Sequence, residues 1–528
     1  MRLGVDFGTT RIVVAAVDRG NYPVVTFDSP DGEAWEGFPA LVAAREGDAL
    51  YGFEAWQAQE DADTTVVRSI KRFLADAGPE TQVSIGWGTF RMLDLLCGLT
   101  DALRAALIEA SSLSLKAGEP LEIMLGVPAN ANGNQRFLTV EAFRRSGFEV
   151  IGLLNEPSSA SIEYGQAIRA KAGATRDSII VYDLGGGTFD ASLVEMDAQR
   201  HEVLASEGIP TLGGDDFDDI LAEMALDAAE LDDAAREGLT QAEVFRLHEE
   251  CRLKKEGLHP NTKRLTIDLD SVREGWPSVQ VPVADFYGRC QSMIDETVHA
   301  VADLLHGREA TVEGVYVTGG SSELPMVSRA LKEKFGRRVK RSAYPRSATA
   351  IGLAIQADSQ AGYQLREKFT RNFGVWREAE GGRTMVFDPL FLKGTPLPAP
   401  GEPPLRVTRT YYPAHNIGHF RYLECSHTGE DGRPAGEVMV WDQILFPFDE
   451  TMRDAADLAA SPVMRLEWAP PREVREEYSC DASGAVSVRI SNVTSDYERD
   501  YRLGRWSVQQ APLVPARKRR TPKTARAT

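Results

Sequence analysis

The chain has 528 residues, 43% of them hydrophobic and 26% charged, the balance of a soluble globular protein long enough for two to four folding units. A formal charge of −19 excludes a general nucleic-acid or anionic-membrane binder, because such surfaces need excess Lys and Arg. No stretch approaches the roughly 18 uninterrupted apolar residues of a membrane span.

The opening Met1-Arg2-Leu3-Gly4-Val5-Asp6 enters a strand at once and leaves no room for a signal peptide. Residues 1 to about 358 alternate short β-branched runs with longer amphipathic stretches, the pattern of layered α/β structure. Strands are expected at Leu3–Asp6, Ile12–Val17, Ile123–Val127, Ile179–Asp183, Ala191–Glu195 and Val315–Thr318, with helices at Leu93–Ser112 and Asp216–Ala229. Residues 359–371 read as a polar connector. From residue 372 to about 508, Pro, Gly and aromatic residues rise and short alternating runs such as Val486–Ile490 dominate, which predicts a mainly-β sandwich. Residues 509–528 are basic and almost free of apolar side chains, the composition of a disordered tail. The five scattered cysteines, Cys97, Cys251, Cys290, Cys425 and Cys480, form no CxxC pair and fit a reducing, cytoplasmic setting.

Two segments share one design: Gly4-Val5-Asp6-Phe7-Gly8-Thr9-Thr10 and Tyr182-Asp183-Leu184-Gly185-Gly186-Gly187-Thr188-Phe189-Asp190. Each ends a hydrophobic strand with Asp, turns through Gly and presents hydroxyls before the next strand. Glycine lets backbone N–H groups come close to phosphate oxygens, and threonine adds donors. Asp6 and Asp183 cannot bind phosphate themselves, so they are placed to hold Mg²⁺ through water. One such loop would be weak evidence; two, about 175 residues apart, point to a duplicated clamp around one polyphosphate. Neither a Walker loop nor a Rossmann fingerprint is present. A third run, Gly319-Gly320-Ser321-Ser322, follows a buried-looking strand and suits either packing against a nucleoside or an ordinary strand-to-helix turn.

Further ordered motifs accompany these loops: Ser69-Ile70-Lys71-Arg72, Gly126-Val127-Pro128-Ala129 with Asn134-Gln135-Arg136, Leu154-Asn155-Glu156-Pro157, Tyr164-Gly165 and Leu212-Gly213-Gly214-Asp215-Asp216-Phe217. Together they resemble the seventy-kilodalton heat-shock chaperones of the DnaK type, whose nucleotide domain is a two-lobed actin-like fold of ribonuclease H-like halves. The resemblance implies ATP or ADP with Mg²⁺ and K⁺, and slow hydrolysis. It implies that Lys71, Glu156, Asp190 and Thr188 act on the attacking water and the γ-phosphate. Gly8, Thr9, Thr10, Gly185, Gly186, Gly187 and Thr188 would cradle phosphate, and Gly213, Gly214, Lys255, Gly319, Gly320 and Ser321 would complete the nucleotide site. Pro128 and Arg136 match residues that relay nucleotide state to the second domain. A protein or peptide client, a J-domain co-chaperone and a nucleotide exchange factor are the implied partners, with no specific nucleic acid and no membrane. Taken alone, Lys71 reads as a surface lysine and Glu156 as a helix-starting acid.

The sequence departs from the family in three places. In Cys251-Arg252-Leu253-Lys254-Lys255-Glu256-Gly257-Leu258-His259, Arg252 stands for an acid and His259 for a serine, while Glu323 and Arg346 replace an Arg and an Asp. The adenine is therefore expected to sit more loosely or in another pose. The connector offers only Tyr363 and Leu365 as large apolar groups, so weak docking on the first domain is expected. No long amphipathic segment follows Trp506, so a lidless sandwich is expected. The rival to a chaperone ATPase is a nucleotide-responsive scaffold with little turnover, serving one partner.

Overall fold

The computed structural model describes residues 1–504 apart from 62, 76, 117, 130, 170–176, 198, 232, 309–310, 381–383, 400, 456 and 468–470; the basic tail expected at 509–528 and the region after Trp506 lie outside the described residues. The first sheet is built from Arg2–Phe7 (β1), Arg11–Ala16 (β2), Phe38–Pro39 (β3), Glu122–Val127 (β4) and Glu149–Asn155 (β5), in the order β5-β4-β1-β2-β3. The second comprises Asp177–Leu184 (β6), Phe189–Asp197 (β7), Arg200–Ile209 (β8), Val312–Thr318 (β9), Val339–Arg341 (β10) and Gln364–Arg366 (β11), in the order β10-β9-β6-β7-β8-β11. Each sheet has a central strand, β1 or β6, paired antiparallel to its successor and parallel to a later strand. The Asp-Gly loops therefore emerge at equivalent places in two equivalent sheets.

Each sheet packs helices against its own core. Met92–Glu109 (α1) and Gly133–Arg145 (α2) cover the first, where Leu3, Val5, Leu96, Leu103 and Phe143 are fully buried. Helix α2 starts where it does because Asn132 and Gln135 exchange side-chain hydrogen bonds with each other's backbone N–H at 2.9 Å, closing a capping box. Gly214–Ala228 (α4) and Val283–Leu305 (α6) cover the second, with Phe217, Phe286 and Ile294 in its core; Glu156–Arg169 (α3) and Gln241–Glu256 (α5) precede them in order along the chain. After Pro325–Phe335 (α7), the apolar helix Ala348–Ala357 (α8) lies against α3 and β1 and ties the halves together.

Residue 372 begins a sandwich of two four-stranded antiparallel sheets. One contains Asn372–Ala379 (β12), Thr384–Phe391 (β13), Ile417–Thr428 (β15) and Pro434–Pro447 (β16); the other contains Leu405–Tyr411 (β14), Val474–Cys480 (β17), Val486–Asn492 (β18) and Tyr497–Arg502 (β19). Alternation buries Val486, Val488 and Ile490 on one face of β18, as period-2 patterning requires. The aromatic core of Phe373, Tyr422, Phe446 and Tyr478 joins the sheets.

The connector differs from expectation. Its Gln364–Arg366 pairs in parallel with β8, and Tyr363 and Leu365 are buried at 7% and 3% exposure. The Tyr363 ring meets His201 edge-on, with 5.5 Å between centroids. Two apolar groups suffice because the backbone is also held, as the edge strand of an existing sheet.

Candidate active site

The two Asp-Gly loops face each other. A Cβ on Gly186 would collide with the Thr10 hydroxyl, and one on Gly187 would collide with Thr9, so only glycine permits this approach. Gly213 and Gly214 lie against the same loop: Gly214 N–H donates to the Gly185 carbonyl at 3.0 Å and Asp215 N–H to the Gly186 carbonyl at 2.7 Å. Gly319 has φ of 84° and abuts the Leu184 carbonyl and the Asp183 carboxylate, a position closed to any side chain. The loops line a cleft of about 970 Å³ that also takes in Gly8, Thr188, Gly320 and Ser321. Contacts cross the cleft from the first half to the second. Ser69 donates to Asp215 at 2.5 Å, Arg72 binds the Gly187 carbonyl at 2.8 Å and Asp216 at 2.6 Å, and Arg68 pairs with Glu249.

Lys71 does not lie on the surface. It is buried at 7% exposure, and its Nζ donates to Glu156 Oε1 at 2.5 Å. Burial drives the Asp6 carboxyl up to about 7, with Glu156 adding to the rise and Lys71 opposing it. Asp190 is likewise held up at about 7 by burial and by Glu156, against Lys71, the Ala129 N–H and Thr188. Asp183 is raised well above the usual range by burial, then by Glu156, Asp6 and Asp190. Burial pulls on the Lys71 ammonium too, but the surrounding carboxylates outweigh it and its pKa rises. Four carboxylates thus converge on one lysine, a donor set that fits a hard cation. Among the described residues no trio of His, Cys, Asp or Glu stands close enough to hold a metal directly.

Lys255 lines the cleft, fixed by Asp218 at 2.7 Å and the Gly214 carbonyl at 2.6 Å. Burial lifts Asp218 to about 6 although Lys255 opposes it. Beyond Lys255 the lining becomes ionic. Glu256 accepts from Arg252 at 2.7 Å, Arg346 at 3.0 Å and Arg11 at 3.3 Å. Arg346 also donates to Glu323 at 2.6 Å. Burial opposes the Glu256 charge, but the three guanidiniums win and hold the carboxyl down at about 2. The two unusual residues, Glu323 and Arg346, are therefore each other's partners. Sequence reasoning missed Arg11 and Glu256; the i,i+4 spacing of Arg252 and Glu256 was a signal, whereas Arg11 arrives from the other half.

Pro128 and Arg136 lead out of the site. The Ala129 N–H donates to Asp190 at 3.2 Å. Arg136 donates to the Ala131 carbonyl at 3.3 Å and to Asn155 Oδ1 at 2.8 Å. Asn155, one residue before Glu156, donates to the connector's Glu367. The sandwich then rests on α2. Gly133 N–H donates to Glu424 at 2.9 Å, Arg502 pairs with Glu141 at 2.7 Å, and Arg144 pairs with Asp481 at 3.3 Å.

A protein-family model described as Hsp70 protein matches residues 114–370. A chaperone protein HscA homolog of Laribacter hongkongensis is 32% identical over 530 residues, covering 94% of this chain and 77% of that protein. The chain belongs to the Hsp70 family. A second HscA homolog, from Chromobacterium violaceum, is 29% identical over 94% of this chain, and the HscA of Salmonella newport is 31% identical over 68% of it. This Hsp70 is accordingly an ATP-binding chaperone of the DnaK-like ATPase kind, with actin-like lobes followed by a β-sandwich. Identity near 30% marks it as a divergent member of the family. Among the described residues no helix is long and apolar enough to cross a membrane.

Proposed function

We propose that the protein is a slowly hydrolysing ATPase whose nucleotide state controls how the C-terminal sandwich holds a protein segment. The observation that carries this reading is the unbroken path from Lys71 through Glu156 and its neighbour Asn155 to Glu367. Asp6 and Asp183 are assigned to Mg²⁺ through its waters, and their raised pKa values support a site that gains from a divalent charge. Bound Mg²⁺ would neutralise charge on the phosphates, and K⁺ is the further cation that the resemblance implies.

Lys71 orients the attacking water and stabilises charge growing on the γ-phosphate, with Glu156 holding the ammonium in place. Asp190 and Thr188 complete the water network. Thr9, Thr10, Gly185, Gly186 and Gly187 supply the phosphate donors, and the two halves are read as a ribonuclease H-like duplication. Residues 1–358 form the nucleotide unit, 359–371 the connector and 372–508 the client-binding unit, with 509–528 a disordered tail. The client is a protein or peptide segment, served by a J-domain co-chaperone and an exchange factor. A cytoplasmic setting is supported by five unpaired thiols. Limited proteolysis with ATP and with ADP tests the coupling: the connector should be cut at different rates in the two states, and equal rates count against it.

A scaffold with little turnover is the second reading, favoured by the Arg11–Glu256–Arg346 chain on the nucleoside side. Burst-free, undetectable hydrolysis beside tight nucleotide binding would select it.

A further inference from the structure

We propose that the outer, nucleoside end of the cleft takes a nucleotide whose ribose carries a further phosphate, on its 2′ or 3′ hydroxyl, besides the 5′-polyphosphate. This rests on the reading of the cleft as a nucleotide clamp. The chain as a whole carries −19, yet this end of the cleft is rich in cations. Arg329 and Lys332 on α7 and Arg341 at the end of β10 line it, all exposed, and among the described residues none of the three side chains forms a hydrogen bond or ion pair. Arg329 and Lys332 are three residues apart and share one helix face. The acids of the same wall, Glu256 and Glu323, are already taken by Arg11, Arg252 and Arg346. Only Glu36 and Glu333 remain to balance the unpaired trio.

Position separates these cations from the phosphate cradle. Arg341 lies on an edge strand, in register with Val317 of β9, and β9 in turn pairs with β6, which carries Asp183. Two strand spacings put it roughly 10 Å across the sheet from the Asp183 loop. A 5′-polyphosphate gripped between Thr9, Thr10 and Gly185–Thr188 has its sugar, not its phosphates, at that range. An anion there must hang from the sugar. The chemistry of nucleotide sites agrees: a carboxylate reads a free ribose hydroxyl, whereas an arginine accommodates a ribose phosphate, which its planar fork meets with two donors. Here Arg252, clamped by Glu249 and Glu256 at 2.7 Å each, and Arg346 on the shared Glu256 carboxylate keep the acids of this wall neutralised, so that they do not repel an anion. The unpaired Arg329, Lys332 and Arg341 supply the donors that meet the ribose phosphate.

The test is calorimetric titration of the full chain with Mg²⁺, comparing ADP with ADP bearing a 2′- or a 3′-phosphate, and GDP with guanosine 3′,5′-bisdiphosphate. At least one ribose-phosphorylated ligand should bind tenfold or more tightly than its parent. The Arg329→Gln/Lys332→Gln/Arg341→Gln variant, altered only at exposed positions, should lose that gain to within twofold and keep the parent's affinity. The proposal is overturned if no ribose phosphate gains over its parent, or if the gain survives in the triple variant. Failure of every nucleotide to bind overturns the clamp reading along with it; parent binding without a gain overturns this inference alone.

Discussion

Asn155 donates twice to Glu367, from its backbone N–H to Oε1 at 2.8 Å and from Nδ2 to Oε2 at 2.6 Å. The connector is thus held by a carboxylate that is 5% exposed, one residue from the acid that positions Lys71. Removing one member of such a buried pair costs about 1–3 kcal/mol. Glu367→Ala should free the connector: proteolysis between residues 359 and 371 should speed up about tenfold in ATP, with nucleotide affinity unchanged within twofold. Unaltered protection would mean that β11 pairing alone holds the segment.

The contact between α2 and the sandwich is close at Gly133, where an added Cβ would enter the Trp441 indole. Gly133→Val should therefore lift the sandwich from α2 at a cost of about 1–3 kcal/mol. Hydrogen exchange would report it as faster exchange in β16 and β19, while β1 and β6 stay protected. Unchanged exchange in those two strands would remove α2 from the docking surface.

Inside the sandwich, Arg377 binds Glu476 at 2.7 and 3.0 Å and Asp388 at 2.6 Å, while Arg409 reaches the same Asp388 at 2.8 Å. Arg377 and Asp388 belong to one sheet and Arg409 and Glu476 to the other, so the quartet staples the sheets together. Glu476 is fully buried, so Arg377→Met should leave its charge unpaired and cost about 3–5 kcal/mol. The Arg377→Met/Glu476→Met double variant should recover most of that loss in denaturant unfolding. A double variant as unstable as the single would show that the quartet is needed as a unit.

Burial lifts Asp442 to about 7, although it accepts from Gly504 and Gln443 N–H groups. A carboxyl with a folded pKa above its unfolded 3.8 binds its proton more tightly in the fold. Its contribution is therefore complete below about pH 4 and lost as pH rises towards 7. Asp442→Asn removes the titration. The stability of the variant relative to wild type should climb by roughly 2–4 kcal/mol between pH 4 and pH 8. A pH-independent difference would place the titrating group elsewhere.

The two facing Asp-Gly loops were legible because their pattern is local. Asp6-Phe7-Gly8-Thr9-Thr10 and Asp183 to Asp190 each announce a strand, a turn and a hydroxyl within a few residues, and the strands around them run to within a few residues of expectation. Docking of the connector was not legible. Counting apolar residues undervalued Gln364–Arg366, since its anchors are a backbone ladder with β8 and the polar side chain of Glu367, which needs a distant Asn155 to be satisfied. The same holds for Glu256. Its partner Arg252 is one turn away, but Arg11 is separated by 245 positions and Arg346 by 90. Ion pairs assembled from three parts of the chain leave no local signature. The seat of the sandwich on α2 was equally hidden, because Gly133 looks like any helix-starting glycine until Trp441 is placed beside it.

The proposed role of Lys71, held by Glu156, is to orient the attacking water and stabilise charge on the γ-phosphate. Single-turnover ATP hydrolysis by the full chain, wild type against Lys71→Ala, measures that role. Slow but measurable hydrolysis is expected in wild type, with a loss of about 10²–10³-fold in the variant and ATP affinity kept within a few-fold. Equal rates in the two proteins, or no hydrolysis in wild type under saturating ATP and Mg²⁺, would contradict it.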